Sequence, residues 1–400
     1  MIPVSEAERL ILETVTLLPE ESVALADACG RVLREQLVAD RDFPPFDRVA
    51  MDGIAIRFED FQNGIRNFRI TGLQAAGSPQ QQLIGKGTCL EVMTGAILPE
   101  GANVVVRYED VSLADGHATV ELDEVKFRQN IHGQASDRPA GAVLAEPGMK
   151  ISPAEIGVAA TVGKAHIRVS AKPKVAVISS GDELVPVEQV PLPHQIRRSN
   201  VHALSAALRQ WGVEVSCHHV VDEKEQIRNT LGALLESNHA LVLSGGVSMG
   251  KLDYLPEVLE ELGVEKVFHR IAQRPGKPFW FGRKKGAAVV FALPGNPASS
   301  FMCLHRYFQP WLQRCLGQKA ETPVYAQLSS DFTFKPPLTY FLQVKLAFDP
   351  AGVLTAIPYK GGGSGDLANL VDADAFLELP AGETDFNKGE AYRVWKYRYG

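Results

Sequence analysis

The chain has 400 residues and a mass of 43.6 kDa, with 45% hydrophobic residues, 22% charged residues and a formal net charge of −6. This length predicts about two to four domains, and the mildly acidic charge excludes the basic footprint of a nucleic-acid-binding protein. The five cysteines include no Cys-x-x-Cys pair, which is typical of free thiols in a reducing compartment. Because the sequence shows neither a signal-peptide pattern nor an apolar run of about 20 residues, we expect a cytoplasmic protein without a membrane partner.

The first part of the chain predicts two helices that flank a β-rich segment. A capping box of Ser5 and Glu8 indicates an N-terminal helix. A second capping box begins at Ser152, with Pro153 at the first helical position, and indicates a helix that ends near Gly163. The short alternating runs between these helices, broken by Gly and Pro, are typical of a small β domain.

From about residue 171 the patterns of strand and helix alternate, which is the signature of a doubly wound parallel sheet. The expected elements are strands 174–179, 213–221, 240–244, 265–271 and 287–293 and helices 200–211, 224–236, 254–262 and 297–314. Cys217, His218 and His219 fall on one of these strands, where neighbouring side chains point to opposite faces, so we expect no metal there.

The tail returns to strand patterns, and the runs 343–348 and 353–357 predict a hairpin-like pair. The chain is therefore expected to be multidomain, α/β plus β. The predicted domains are a helical linker domain (1–50 and 141–170), a β-rich insert (51–140), an α/β domain (171–320) and a C-terminal β domain (321–400).

Three glycine-containing loops, 180–184, 244–254 and 294–297, each follow a predicted strand of the α/β domain. Ligands of open parallel sheets bind at the carboxyl ends of the strands, and glycines let backbone N–H groups approach an anion. Glu183 and Asp253 would add two carboxylates beside a phosphate, as Mg²⁺ usually requires. Each loop alone could be a tight turn, but three at one edge favour a phosphate-and-metal site. The Walker and Rossmann glycine patterns are both absent.

Six ordered motifs carry a resemblance to a known family. They are 46–53, 93–101, 180–184, 244–254, 274–278 and 293–297. Their order and spacing agree over nearly the whole chain, and the sequence resembles the molybdopterin molybdenumtransferase (MoeA) family, which is related to the C-terminal part of gephyrin. The resemblance implies an interrupted helical domain, a β insert, a molybdopterin-binding α/β domain and a β-barrel-like tail.

The resemblance also implies an activity. Enzymes of this family insert molybdate into adenylylated molybdopterin (molybdopterin-AMP) with Mg²⁺ and release AMP. The implied assembly is a homodimer whose site lies between the α/β domain of one subunit and the N-terminal part of the other. Molybdopterin adenylyltransferase is then a possible partner.

Site residues follow from the matching positions. The catalytic positions are Asp52, Thr94, Asp137, Glu183, Asp222 and Asp253, and of these Glu183 and Asp253 match the Mg²⁺ carboxylates. The positions expected to bind the adenylylated pterin are Ser180, Gly181, Ser199, Asn200, Ser244, Gly245, Gly246, Ser248, Gly250, Pro294, Gly295, Asn296 and Pro297. The molybdate positions are Arg274, Lys277, Pro278, Ser299 and Ser364.

Local structural roles stay open for three of the catalytic positions. Asp52 could cap a turn before Gly53, and Thr94 could be a turn hydroxyl. Asp222 could be the N-cap of the helix that follows it.

Several positions depart from the family pattern. His132 stands where arginine is usual, Arg198 replaces an acid, and Arg274 replaces lysine. In the tail, Leu338 and Gln343 stand where the family has arginines. These departures leave open a divergent paralogue that binds molybdopterin or scaffolds a partner without turnover. The adenylyltransferase itself is a further alternative, although it needs neither the β insert nor the tail.

Overall fold

The computed structural model describes residues 1–246, 254–359, 363 and 365–398. The chain forms two compact units. The larger unit consists of Met1–Arg34, Pro147–Ser152 and Arg168–Gly400, and the insert unit consists of Glu35–Glu146 and Pro153–Ile167. No helix within the described ranges is long and apolar enough to cross a membrane. The four predicted domain boundaries stay a prediction.

The insert unit contains a six-stranded sheet. In pairing order its strands are Val104–Arg107, Gly53–Ile56, Thr88–Val92, Asn67–Gln74, His117–Val120 and Val111–Ala114. Both faces of the strand Gly53–Ile56 are buried, since Ile54 and Ile56 pack into one core and Ala55 into the other. A Cβ at Gly53 would lie 1.9 Å from the Val106 carbonyl oxygen, so only glycine allows the neighbouring strand to come this close.

The remaining elements of the insert unit are short. They are helices Phe58–Gln62 and Pro153–Thr161, a 3₁₀ turn Tyr108–Asp110, and strands Leu37–Val38, Arg48–Val49, Ile131–His132 and Val143–Ala145. The second helix begins at Pro153, and Gly163 follows its end with a φ of +71°, as the sequence predicted.

The larger unit is built on a second six-stranded sheet. In pairing order its strands are Glu214–Val220, Lys174–Ser180, Ala240–Ser244, Val289–Leu293, Trp280–Arg283 and Glu265–His269. The first four are parallel, which confirms the doubly wound fold, and Trp280–Arg283 pairs antiparallel with both of its neighbours, so the sheet is mixed. Its helices are Val4–Leu12, Asn200–Gln210, Lys224–Ser237, Leu255–Glu261, Pro297–Cys303 and Gln309–Cys315.

Helices cover both faces of this sheet, which explains its continuous apolar strands. Val177 and Val242 face one core together with Leu204 and the N-terminal helix. Ile178, on the other face, packs with the helix Lys224–Ser237. Because side chains alternate along a strand, the strands of this sheet contribute residues to two separate cores.

Two helix predictions are wrong in detail. The predicted helix 297–314 is interrupted by a π-helical segment, Leu304–Phe308, because Pro310 has no N–H to offer the Arg306 carbonyl. The N-terminal helix begins at Val4 without a side-chain cap, so Ser5 lies inside it. Glu8 accepts a hydrogen bond from the buried Arg306 Nη2 at 2.9 Å instead of closing a capping box.

The tail is a closed five-stranded barrel. Its strands are Tyr325–Leu328, Thr339–Phe348, Leu354–Pro358, Ala375–Leu379 and Ala391–Lys396. The long strand Thr339–Phe348 pairs antiparallel with Leu354–Pro358, which confirms the predicted pair, and closes the barrel by pairing with Ala375–Leu379. A sixth strand, Gln273–Arg274, joins it in parallel from the α/β part.

The larger unit also has several short elements. They are strands Glu20–Ala24, Leu184–Val185, Ile196–Arg197, Phe332–Thr333 and Asp385–Phe386, a 3₁₀ turn Leu25–Asp27 and a helix Asn369–Asp372. The strand His166–Ser170 spans the boundary between the two units.

Candidate functional site

The described parts of the three glycine-containing loops lie at one edge of the α/β sheet. Strands Lys174–Ser180, Ala240–Ser244 and Val289–Leu293 are adjacent and parallel, so their carboxyl ends lie side by side. A Cβ on Gly295 would lie 3.6 Å from the Gly245 Cα, which shows how closely two of the loops approach. Gly245 also donates its backbone N–H to the Leu293 carbonyl at 3.3 Å. The pairing of the strands thus brings Ser180, Gly245 and Gly295 to the same edge, and the ligand site expected there stays a prediction.

Asn200 ties two of these loops together. Its Nδ2 donates to Ser244 Oγ at 2.8 Å and to the Gly295 carbonyl at 2.7 Å. Its Oδ1 is buried and has no partner among the described residues. A buried acceptor left in this state costs free energy, so it suits a donor brought by a ligand. Ser199, directly before it, accepts backbone hydrogen bonds from His202 and Ala203 at the start of the helix.

Asp222 connects to the first loop and does not cap a helix. The Ser180 hydroxyl donates to Asp222 Oδ1 at 3.0 Å, and the Asp222 N–H donates to Asp182 Oδ1 at 3.1 Å. The following helix has Glu223 at its N-cap position and no side-chain cap. The alternative of a plain N-cap is therefore wrong, and the carboxylate is held beside Ser180.

Glu183 presents an exposed carboxylate at the same edge. Gly181 has a φ of +136°, a backbone conformation that residues with a side chain rarely adopt, and the Glu183 carboxylate folds over it. The predicted partner Asp253, together with Ser248 and Gly250, lies outside the described residues. Within the described ranges, no three His, Cys, Asp or Glu side chains form a group that could hold a metal.

A cavity of about 530 Å³ adjoins the third loop and collects the predicted molybdate residues. Its wall includes Pro294 and Asn296 from that loop and Arg274, Lys277, Pro278 and Ser299. Arg274 and Lys277 are exposed, whereas Ser299 is buried. The cavity therefore combines two cations with a hydroxyl-bearing residue. Ser364, the remaining predicted molybdate residue, lies outside the described residues.

The opposite wall of the cavity comes from the barrel. Leu338 and Gln343, the two positions where the family has arginines, both line it. Gln343 accepts a hydrogen bond from the Asn369 side-chain amide, which also lines the cavity. Tyr340 lies between them, and its ring stacks on Phe334 with centroids 4.3 Å apart. Burial raises the pKa of Tyr340, so its hydroxyl keeps its proton.

Sequence reasoning missed Tyr340, Tyr359 and Asn369 as lining residues. The strand prediction began at residue 343, so the alternation that turns Leu338 and Tyr340 toward one side was not used. Asn369 follows a stretch without a recognisable pattern, and no sequence signal pointed to it.

Asp52 and Thr94 form a bonded pair in the insert unit. One oxygen of Asp52, Oδ1, accepts the Thr94 backbone N–H at 2.6 Å and its hydroxyl at 2.7 Å. These donors, the backbone N–H first, lower the pKa of the exposed Asp52 carboxyl. This contact is compatible with a structural role for Asp52 as a turn cap and for Thr94 as a turn hydroxyl. It uses only Oδ1 of Asp52, so it is compatible with a chemical role for Oδ2 as well.

Asp137 ends a short polar chain in the same unit. His132 Nε2 lies 2.9 Å from Asp137 Oδ1, and Arg48 Nη2 lies 3.4 Å from His132 Nδ1. His132 is one of the departures from the family pattern, and Arg48 was not among the predicted residues. Arg48 pairs with His132 across two strands. A cation therefore lies beside the position where the family has arginine.

Comparisons with known proteins match these features. Three family models cover the chain: the MoeA N-terminal region (domain I and II) over residues 2–163, the probable molybdopterin binding domain over 176–314, and the MoeA C-terminal region (domain IV) over 325–397. A Synechocystis protein named molybdopterin molybdenumtransferase is 42% identical over 403 residues, covering 99% of this chain and 100% of that protein. A protein of the same name from Staphylococcus epidermidis is 32% identical, covering 98% and 95%.

Solved structures agree with the sequence relatives. A crystal structure described as a molybdopterin biosynthesis MoeA protein from Pyrococcus horikoshii superposes with a TM-score of 0.85 at 30% identity, covering 100% of both chains. The fold, the three family models and the full-length relatives thus agree over the whole chain. The chain belongs to the molybdopterin molybdenumtransferase family, the MoeA enzymes of molybdenum cofactor biosynthesis.

Proposed function

We propose that this chain inserts molybdate into adenylylated molybdopterin and releases AMP. The observation that carries the proposal is the cavity in which Arg274, Lys277 and Ser299 adjoin the loop of Pro294 and Asn296. A tetrahedral dianion favours charge-assisted donors, and a glycine-containing loop at a parallel sheet edge favours a phosphate-bearing ligand. The two substrates would then meet where the cavity joins the sheet edge.

Within this proposal the residues of the edge orient the adenylylated pterin. The Oδ1 of Asn200, which has no partner within the described ranges, offers an acceptor to a ligand N–H or O–H group. The Ser180–Asp222 contact fixes the first loop, and the glycines of the other two loops admit the phosphates. Lys277 and Arg274 hold molybdate by charge while Ser299 offers a hydroxyl.

Mg²⁺ belongs to the proposal through Glu183 and Asp253. The Glu183 carboxylate is exposed at the sheet edge, and carboxylate oxygen is the ligand type that Mg²⁺ prefers. When bound, the ion would neutralise negative charge on the pyrophosphate. Asp52, with its ionised carboxylate, is proposed to act on the same substrate from the insert unit of a second subunit in a homodimer.

The wider setting is also part of the proposal. Molybdopterin adenylyltransferase makes the substrate and is a possible partner, and the cytoplasmic location stays a prediction. The family models at 2–163 and 325–397 argue against the adenylyltransferase reaction for this chain, because that enzyme needs neither region.

A second candidate is a divergent paralogue that binds molybdopterin without turnover. It is favoured by one observation: Leu338 and Gln343 line the cavity at positions where the family has arginines. The loss of two cations would weaken anion binding there. Arg274 and Lys277 remain, and for this reason we prefer the enzyme.

Turnover separates the two candidates. We expect purified protein incubated with adenylylated molybdopterin, molybdate and Mg²⁺ to release AMP, and to release little when either molybdate or Mg²⁺ is omitted. Binding of the adenylylated pterin without any AMP release would contradict the proposed reaction and support the paralogue.

A further inference from the structure

One loop carries Arg274 and Lys277, the two cations of the cavity wall within the described part of the chain. We call residues Gln273–Pro278 the anion loop. At its base the Ile271 N–H donates to the Lys277 carbonyl at 3.0 Å, and Gln273 and Arg274 pair in parallel with Thr339 and Tyr340. The loop thus forms a narrow bend between the α/β sheet and the barrel, and the placement of Arg274 and Lys277 depends on its shape.

The anion loop packs directly onto the helix Pro297–Cys303. Gly276 has a φ of +88°, and a Cβ there would lie 2.7 Å from both Cys303 Sγ and Gln273 Nε2. No side chain fits at this position, so the bend is pressed against the helix with the Gln273 amide beneath it. A loop held this way moves only if the groups under it move.

The Gln273 side chain supports the loop from inside. It is completely buried, and its Nε2 donates to the Gly276 carbonyl at 3.0 Å, with Cys303 Sγ at 3.5 Å. Its Oε1 accepts the hydroxyl hydrogen of Tyr307. Both ends of the amide are therefore engaged, one by the loop and the other by a residue on a different element.

Tyr307 lies in the π-helical segment and is 2% exposed. Its ring makes an edge contact with Phe279, just after the anion loop, at a centroid distance of 5.3 Å. Burial raises the pKa of Tyr307 well above its usual range, so the hydroxyl stays protonated and donates its hydrogen to the Gln273 oxygen. The Gly276 carbonyl at the other end sets the orientation of the amide, because a flipped amide would turn Oε1 toward that carbonyl oxygen.

We infer that Tyr307 and Gln273 are positioning residues that hold the anion loop in the shape that presents Arg274 and Lys277 to molybdate. The inference rests on the proposed function for the identity of the anion. Tyr307 is not among the residues that line the cavity, and Gln273 lines it with a side chain that is fully buried. Their contribution is that the two cations are already in place before the anion arrives, so binding does not have to order the loop.

Amide hydrogen exchange tests the positioning without any activity. In Tyr307→Phe the ring remains but the donor is lost, and we expect peptides covering 270–279 to exchange about tenfold faster, as for the loss of one buried hydrogen bond. Peptides covering 224–237 should be unchanged. Leu231→Val is the matched control, because it loosens the core on the other face of the sheet and should affect only 224–237. Unchanged exchange in 270–279, or an equal effect of Leu231→Val there, overturns the inference.

Kinetics then tests the consequence for the anion. Tyr307→Phe should raise the KM for molybdate about three- to tenfold, with kcat and the KM for adenylylated molybdopterin unchanged within about twofold. Gln273→Met should have the same effect, and the double variant should be no worse than Gln273→Met alone, because Tyr307 acts through Gln273. Equal losses for both substrates overturn the inference. If wild-type protein releases no AMP while loop exchange responds as expected, the proposed function fails and the positioning of the loop stands.

Discussion

Among the described residues that line the cavity of the larger unit, Lys277 is one of two cations. Because it is exposed, its contact with a bound anion is partly screened, and we expect Lys277→Ala to cost molybdate binding about 1.5 kcal/mol, roughly tenfold in affinity. Binding of the adenylylated pterin should change far less. Calorimetric titration with each ligand measures both effects. The control is Lys266→Ala, which removes an exposed lysine from the strand Glu265–His269. Equal losses for the two ligands would show that Lys277 serves the pterin or the fold.

Asp52 gives a prediction for pH. Its pKa is lowered by the Thr94 N–H and then by the Thr94 hydroxyl. Thr94→Val removes only the hydroxyl, so the pKa should rise but stay below its usual range, and the acid limb of the activity profile should move to higher pH. Carboxyl ¹³C NMR measures the shift directly, and Thr119→Val on the same sheet is the control. An unchanged Asp52 titration would mean that the hydroxyl does not bond to it in solution.

The same pair affects stability with a definite sign. The folded-state pKa of Asp52 is depressed, so its stabilising contribution is present above the unfolded pKa, about 3.9. It is lost as the pH falls through the lower folded pKa. The loss of folding stability is therefore confined to acid conditions. Thr94→Val should make this loss smaller, because it brings the folded-state pKa of Asp52 closer to the unfolded value.

At the scale of elements, the loop after Ala240–Ser244 depends on Gly246. Its φ is +69°, and a Cβ would lie 2.2 Å from Cδ1 of Leu255, which is itself buried. We expect Gly246→Ala to destabilise the protein by about 2–3 kcal/mol, from backbone strain and overpacking together. Gly212→Ala is the matched control, with a φ of +81° and open space around it, and should cost only about 1 kcal/mol. Urea unfolding measures both, and equal costs would contradict the predicted clash.

Element prediction succeeded where local signals were sufficient. The strands Lys174–Ser180, Ala240–Ser244 and Val289–Leu293 were found because each is a short, mostly apolar run followed by a loop that contains Gly. The strand Trp280–Arg283 was missed because Phe279, Trp280 and Phe281 form a short apolar run that fits a strand or a loop equally. Its antiparallel direction depends on pairing with Val289–Leu293, which no local pattern encodes.

At the scale of the whole molecule, the proposed homodimer can be tested by complementation. Asp52→Ala and Asp253→Ala should each be inactive alone. If one site uses Asp52 from one subunit and Asp253 from the other, mixed dimers regain one intact site. Random mixing then allows at most about a quarter of wild-type sites. AMP release after unfolding and refolding the two variants together measures the recovery.

The control for this experiment is each variant refolded with itself. No recovery, although mixed dimers are shown to form by a size-tagged subunit, would place both residues in the site of one subunit. Activity of either variant refolded with itself would mean that the substituted residue is not required.

The sequence by itself determined the family, the order of strands and loops in the α/β part and most residues of the sheet edge, because these are properties of short segments whose chemistry is written in consecutive residues. The tertiary structure alone decided how the cavity is completed. Leu338, Tyr340 and Gln343 line it because Thr339 and Tyr340 pair with Gln273 and Arg274, and Tyr307 meets Gln273 across 34 residues of chain. A buried polar group takes whichever partner the packing brings within reach, and that partner is set by non-local pairing. For the same reason Asp222, which a local pattern would make a helix cap, instead binds Ser180.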